Sequence, residues 1–377
     1  MLRILFALII IIHASIHLLG FVKEWGMAQV EQLSGQTLLS LTGAWPKAVG
    51  ILWLIACLIL LTAAAGYLAK KEWWWMAATG GMLLSQLLII LYWPDAKAGT
   101  VANVIILAAV VLAYGSWRFD EQVAGEVETL LAEMDAPPTS KMTDEMLTDL
   151  PVAVQHWLRA SGAVGQPLIR TAHFRQRGKL RTKPGSNWMP VEAQQYVRVY
   201  PPGFIWQAEI DAGLLHIAGR DKYQNGRGHM LIKMLSLLPV ADASGEQTDQ
   251  GTLLRYLGEI VWYPTAAISD YITWDPVNSS TAKATMTHGG VSASGLFRFN
   301  AKGEVVSFQA ERYYDRGGEF TLETWFIRTG QSREFEGIRV PASAAVTWKL
   351  DEGDFTWYRL EISDVEYNRS FHENQDR

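Results

Sequence analysis

Residues 249–264 read Asp-Gln-Gly-Thr-Leu-Leu-Arg-Tyr-Leu-Gly-Glu-Ile-Val-Trp-Tyr-Pro. Leu253, Leu254, Leu257, Ile260 and Val261 recur at helical spacing, which predicts an amphipathic helix over 249–262. Asp249 is placed to cap its N-terminus, and Pro264 lies just beyond its end. Arg255 and Glu259 stand one turn apart on one side and can pair.

On both sides of this helix the period changes to two. Phe204, Trp206, Ala208 and Ile210 alternate with polar residues. So do Ala282, Ala284 and Met286, then Val346, Trp348 and Leu350, then Phe355, Trp357 and Arg359. This is half-buried strand patterning. Turn signals separate the runs at Asn225-Gly226, Gly289-Gly290, Asn300-Ala-Lys-Gly303, Gly317-Gly318 and Asp351-Glu-Gly-Asp354. About ten strands with short connections predict one antiparallel meander, curved or a half-barrel, with the single helix inserted into it. The expected soluble domain is thus a β-rich α+β domain over 166–377.

Toward the N-terminus a connector is expected over 119–165. Phe119, Val123, Val127, Leu130, Leu131 and Met134 recur at helical spacing, with glutamates on the other face. That acidic face suits packing on protein better than lying on anionic lipid. Ala136-Pro-Pro-Thr139 should end this helix, and Pro151 and Gly162 bracket a short second one.

The first third reads differently. Four apolar stretches, 4–22, 48–69, 73–93 and 98–117, are each long enough to cross a hydrocarbon core as a helix. Trp45, Trp73–Trp75, Trp93 and Trp117 sit at their ends, where aromatic belts form. The first stretch has no small-residue cleavage site after it and reads as an uncleaved helix. These residues predict an α-helical transmembrane bundle of four helices over 1–118, and hence an integral membrane protein.

Charge supports the division. Residues 1–118 carry seven Lys/Arg and four Asp/Glu, a net of +3; residues 119–377 carry 26 and 34, a net of −8; together they give −5. The acidic balance argues against a nucleic-acid partner. Arg3, Lys70, Lys71 and Arg118 fall on one side of the expected bundle and Lys23, Lys47 and Lys97 on the other. The positive-inside rule then favours a cytoplasmic soluble domain. The one cysteine, Cys57, lies in an apolar run, so neither a disulfide nor a cysteine-based zinc site is expected.

Polar residues inside the spans are few. His13 and His17 share a helix face, as a ligand or proton-relay pair would, or as two imidazoles bonded to neighbouring helices. Ser85, Gln86 and Asn103 read as interhelical hydrogen-bonding residues. Asp95 and Lys97 read as an ion pair in an interfacial turn.

No nucleophile elbow, zinc-protease helix or P-loop is present in the sequence. No cofactor and no metal is expected. The polar constellation that stands out is Arg220, Asp221, Asp249, Arg255, Glu259 and Arg312, with Trp206 and Trp262 beside it in the pattern. Arg220 and Arg312 both follow apolar residues at period two and could point inward. Three readings stay open: a structural ion-pair network, a polar group orienting a carboxylate or phosphate headgroup in an apolar groove, and an acid/base pair such as Glu259 with Asp249.

Leu150-Pro-Val152, Leu158-Arg-Ala-Ser-Gly162, Tyr200-Pro-Pro-Gly-Phe-Ile-Trp206, Gly219-Arg-Asp-Lys-Tyr223, 253–265 and Ile338-Arg-Val-Pro341 resemble an uncharacterised bacterial family of membrane-associated domains of unknown function, across most of 145–367. The resemblance implies a bacterial inner-membrane protein and no particular activity. A more distant similarity, in strand count and inserted helix, is to the lipoprotein-carrier (LolA/LolB-like) half-barrels, which implies a curved sheet around an apolar ligand. The residues then fit a membrane-anchored binding module for a lipid or other apolar molecule, using Arg220, Asp221, Arg255, Glu259, Arg312, Trp206 and Trp262. The alternatives are a membrane-tethered enzyme using Asp249, Arg255 and Glu259 on a lipid or envelope precursor, and a scaffold for another membrane protein.

Overall fold

The computed structural model describes residues 2–29, 33–132, 140–213 and 215–369. It divides into two compact units, 1–119 and 120–377.

The first unit contains α1 (Leu2–Glu24), α2 (Trp45–Leu68), α3 (Trp74–Leu91), the one-turn α4 (Trp93–Ala96) and the first part of α5 (Gly99–Leu131). Four of these helices are long and apolar enough to cross a membrane, by length and composition. Polar side chains join them. His13 Nε2 lies 2.9 Å from Asn103 Oδ1 and 3.1 Å from Ser85 Oγ, and Asn103 Nδ2 donates to Ser85 and Gln86. His17 donates from Nδ1 to the His13 carbonyl. His13 is thus bonded to neighbouring helices, whereas His17 bonds within α1 and its Nε2 has no hydrogen-bond partner among the described residues. Asp95 is not paired with Lys97 as expected. It accepts from Ser34 Oγ and the Gly35 amide instead, tying the turn to the α1–α2 connection.

A second difference concerns the connector. The fourth apolar stretch and the amphipathic segment are one continuous helix, α5, because no breaker separates Trp117 from Val123. Met134, expected on its apolar face, and 136–139, expected to end it, lie outside the described residues. The short helix α6 (Val152–Ala160) follows Pro151, and Gly162 sits in the left-handed region (φ +74°) just past its end, as the sequence predicts.

Fifteen strands follow among the described residues. They are β1 (Thr171–Leu180), β2 (Met189–Arg198), β3 (Gly203–Ala212), β4 (Leu215–Gln224), β5 (Arg227–Met234), β6 (Leu238–Ala243), β7 (Ile272–Asn278), β8 (Thr281–His288), β9 (Val291–Phe299), β10 (Val305–Asp315), β11 (Phe320–Thr329), β12 (Ser332–Phe335), β13 (Ile338–Pro341), β14 (Ser343–Leu350) and β15 (Gly353–Tyr367). Helix α7 (Glu246–Glu259) lies between β6 and β7. The expected ten strands undercount the sheet. β6 and β7, the two edge strands, each carry a proline, and β12 and β13 form a separate two-stranded ribbon.

Thirteen strands form one curled antiparallel half-barrel in the order β6-β5-β4-β3-β2-β1-β15-β14-β11-β10-β9-β8-β7. Two meanders are thus joined in the middle by the β1–β15 pairing. The register shifts at Arg175/Gln176, Ile232/Lys233, Val305/Ser307 and Val346/Thr347, and a bulge lets a strand bend. The last of these changes the phase of β15. Tyr358, Leu360 and Ile362 are buried and Arg359 is exposed, so the simple alternation read through Phe355, Trp357 and Arg359 slips by one residue.

Helix α7 joins the two edges of the sheet and contacts both arms, β4 and β5 on one side and β8, β9 and β10 on the other. Leu253, Leu254, Tyr256, Leu257 and Ile260 are fully enclosed there. The arms also meet at their hairpin tips. A Cβ on Gly289 would stand 2.4 Å from Gly226 Cα, so backbone lies directly on backbone. Both glycines have positive φ, which suits the tight turns they form. Beside them Tyr223 Oη on β4 pairs with His288 Nδ1 on β8 at 2.8 Å.

Burial, aided by the Arg198 cation, lowers the pKa of His288. Burial also lowers that of His173, against the pull of Glu366. Each imidazole is therefore held neutral in the fold, and its stabilisation is present above the unfolded value near about 6.5 and lost as pH falls through the depressed folded value. Thermal unfolding of the solubilised protein should show a midpoint that falls between pH 7 and 5.5. The His173→Gln, His288→Gln double variant should show a shallower fall. Equal slopes for the two proteins would refute the assignment.

Candidate functional site

The concave face of the sheet and helix α7 enclose a cavity of about 250 Å³. Its wall is largely apolar and aromatic, with Ile210, Phe308, Trp325, Ile327, Val346 and Trp348 among the lining residues. All seven residues singled out as ligand-binding candidates, Trp206, Arg220, Asp221, Arg255, Glu259, Trp262 and Arg312, border it.

They do not act as one group. Arg255 is the hub. Its Nε donates to Glu259 Oε1 at 2.9 Å, Nη1 to Asp221 Oδ2 at 2.7 Å and Nη2 to Gln195 Oε1 at 2.9 Å. Gln195 Nε2 in turn donates to Glu259 Oε2 at 2.6 Å. The guanidinium also lies over the rings of Phe204 and Trp206, 4.9 Å from each centroid. Burial disfavours the Arg255 cation, but Glu259 and Asp221 outweigh it and hold its pKa above the ordinary value. Both oxygens of Glu259 are engaged, and the residue is only 7% exposed.

Arg220 belongs to the other side of the sheet. Adjacent residues of a strand face opposite ways, so Asp221 reaches α7 while Arg220 reaches α5. There Arg220 Nε lies 2.9 Å from Glu126 Oε2, and Nη1 donates to the His229 carbonyl. Lys222, two residues on, shares Glu126 at 3.2 Å, and Gln207 donates to Asp120. The amphipathic part of α5 therefore packs on protein, with Val123, Val127 and Leu130 buried.

Asp249 is not the helix cap that its position suggested. Helix α7 starts one turn earlier, with Gly245 at the N-cap, because Glu246 continues the helical pattern upstream. The Asp249 carboxylate instead accepts the Gly228 amide at 2.7 Å and Arg227 Nη1 at 2.9 Å, clamping α7 to the β4–β5 hairpin. It is not among the residues that line the cavity. The pairing of Asp249 with Glu259 as acid and base is therefore not assembled.

Trp262 closes one part of the wall, its Nε1 donating to the Pro341 carbonyl. Trp206 Nε1 donates to Gln176 Oε1 at 3.2 Å. Arg312 stands apart from the network. Its guanidinium lies 4.6 Å from the Trp325 ring centroid and 5.9 Å from that of Trp348. Burial brings its pKa down to about 10, with Asp221 opposing, so it remains a cation at neutral pH.

Gln195 and Glu126 are the participants that sequence reading missed. Gln195 falls in phase with Val191 and Val197 on β2, and a polar residue at an inward position was the available signal. Nothing in the sequence distinguishes Glu126 from the other glutamates of α5. A second cavity, about 390 Å³, lies within the first unit and is bordered by His13, His17, Trp53 and Tyr92 among others.

Fold and site together define a half-barrel protein with an internal, mostly apolar cavity and a few fixed charges at its wall. The chain belongs to a family of unknown function, DUF6544, whose family model matches residues 140–360. No match was found among curated proteins. Among solved structures the chain is similar to a LolA superfamily protein from Nitrosomonas europaea, with 11% identity, 57% of this chain and 93% of that one covered, and a TM-score of 0.35. It is also similar to a DUF1329 family protein from Desulfovibrio piger, with 10% identity, 58% and 93% covered, and a TM-score of 0.29.

Proposed function

We propose that this chain is a membrane-anchored binding protein whose half-barrel takes up an apolar or amphipathic small molecule. The cavity carries the reading. A space of about 250 Å³ is just under the ~300–1,000 Å³ usual for small-molecule sites and suits one short apolar chain better than a two-chain lipid. Its wall has the composition such sites use, aromatic and aliphatic side chains with a few placed polar groups. The four apolar helices are the anchor, and a bacterial inner membrane is the bilayer we assign to them. The saturated hydrogen bonding of Glu259 and the distant placement of Asp249 favour binding over acid/base catalysis.

A neutral apolar fluorophore, N-phenyl-1-naphthylamine, tests this. The solubilised full chain should bind it, and short-chain alcohols should displace it. Ala344 borders the cavity, so Ala344→Phe should lower the affinity at least tenfold while the unfolding midpoint stays within a few degrees. Unchanged affinity in a folded Ala344→Phe protein would place the binding elsewhere and defeat the proposal.

A further inference from the structure

Most charged groups of the cavity wall are paired among the described residues. Arg255 bonds Asp221 Oδ2, Glu259 and Gln195, with Asp221 Oδ1 left without a hydrogen-bond partner, and Arg220 pairs with Glu126. Arg312 makes no ion pair and has no hydrogen-bond acceptor among the described residues, is half-buried, and lines the cavity. Its place is made by α7, where Gly251 has no side chain. A Cβ there would stand 3.1 Å from Arg312 Nε and 3.3 Å from Nη2.

Burying a cation without a partner is costly, and a deep guanidinium is ordinarily met by a carboxylate. Here the guanidinium lies over the Trp325 ring with its Nε and Nη2 side near Gly251, and it has no acceptor among the described residues. A guanidinium is a planar fork of N–H donors, whose geometry matches two oxygens of a carboxylate or phosphate. The surrounding wall offers an alkyl chain apolar contact.

We propose, on the reading of the cavity given above, that its ligand is a single-chain amphiphile with an anionic oxygen headgroup, and that Arg312 receives that headgroup. A fatty-acid carboxylate and an alkyl phosphate share this chemistry.

Displacement of N-phenyl-1-naphthylamine from the solubilised full chain by decanoate, decyl phosphate, decanol and decyltrimethylammonium separates the possibilities. One or both anions should bind about ten- to a hundredfold more tightly than decanol, the range for hydrogen bonds to a charged group. Whichever anion binds more tightly identifies the source. Arg312→Met should bring the anions to the level of decanol measured on the same variant, and Arg312→Lys should recover only part of the difference. If wild-type protein binds decanol and decanoate equally and decyl phosphate no better, or prefers the ammonium, the assignment of Arg312 is overturned while the cavity keeps its function. If none of the four compounds displaces the probe, the binding function itself fails. The comparison among ligands is made on wild-type protein, so it holds even should the Arg312 variants fold poorly.

Discussion

Arg255→Met should destabilise the second unit by about 3–5 kcal/mol, the cost of removing one partner from a buried ion-pair network. The side chain that replaces the guanidinium fills most of its volume, so lost packing is a minor part. The larger part is what stays behind. Asp221 and Glu259, 12% and 9% exposed at their side chains, would each lose an ion-pair partner at 2.7 and 2.9 Å. Asp221 Oδ1 already lacks a hydrogen-bond partner in the described structure, which leaves it no reserve. Denaturant unfolding followed by tryptophan fluorescence measures the loss. The informative comparison is the triple variant Arg255→Met, Asp221→Asn, Glu259→Gln. Removing the orphaned charges should return more than half of the lost stability, because a network costs most when it is broken in part. A triple variant as unstable as Arg255→Met alone would mean that shape, not charge, decides this site.

Phe308→Ala should cost about 3–5 kcal/mol, as large-to-small changes of an enclosed aromatic do. Phe308 is nested between two glycines. A Cβ on Gly295 would stand 2.3 Å from its ring and one on Gly258 2.9 Å. Its ring packs against Phe297 at 4.7 Å and Trp325 at 6.2 Å. None of these neighbours can readily collapse into the vacated space, since the glycines have nothing to extend. Phe308 also borders the ligand cavity, so the same substitution should enlarge it. A bound apolar ligand should then restore stability in this variant, by about 2.7 kcal/mol at a hundred times its Kd. Longer alkyl chains should bind the variant better than wild type. Loss of stability without any ligand rescue would show that the space opened by the change is not continuous with the cavity.

The sequence carries the broad architecture well, and for stated reasons. Long apolar runs have few alternatives to helices that can cross a bilayer. Turn pairs such as Gly289-Gly290 and Asn225-Gly226 fall at hairpin turns because positive φ is needed there. The helix around 249–264 was legible from its apolar spacing, and the Arg255–Glu259 pair from its one-turn separation. Less legible were features that depend on a partner distant in the chain. The bulge opposite Val346/Thr347 shifts the face of β15 without any local mark. Arg220 and Asp221 look like one motif in the sequence, but strand alternation sends them to opposite faces, where α5 and α7 wait. Arg312 could be suspected of pointing inward. That no acceptor would meet it could not be read from the sequence, because that depends on where every other charge goes.

The family match begins at residue 140, whereas the second compact unit begins at residue 120. Of the residues between, those described, 120–132, contribute to the covering of the second unit. Glu126 is the counter-ion of Arg220, which is 1% exposed, and Leu130 lies against Gly203, where a Cβ would stand 2.8 Å from it. A fragment trimmed to the matched segment would present β4 with a stranded cation and the outer face of β3 with bare backbone. Where the family match starts and where the compact unit starts are thus two different addresses on this chain, and a fragment that keeps the Glu126–Arg220 pair has to begin at the earlier one.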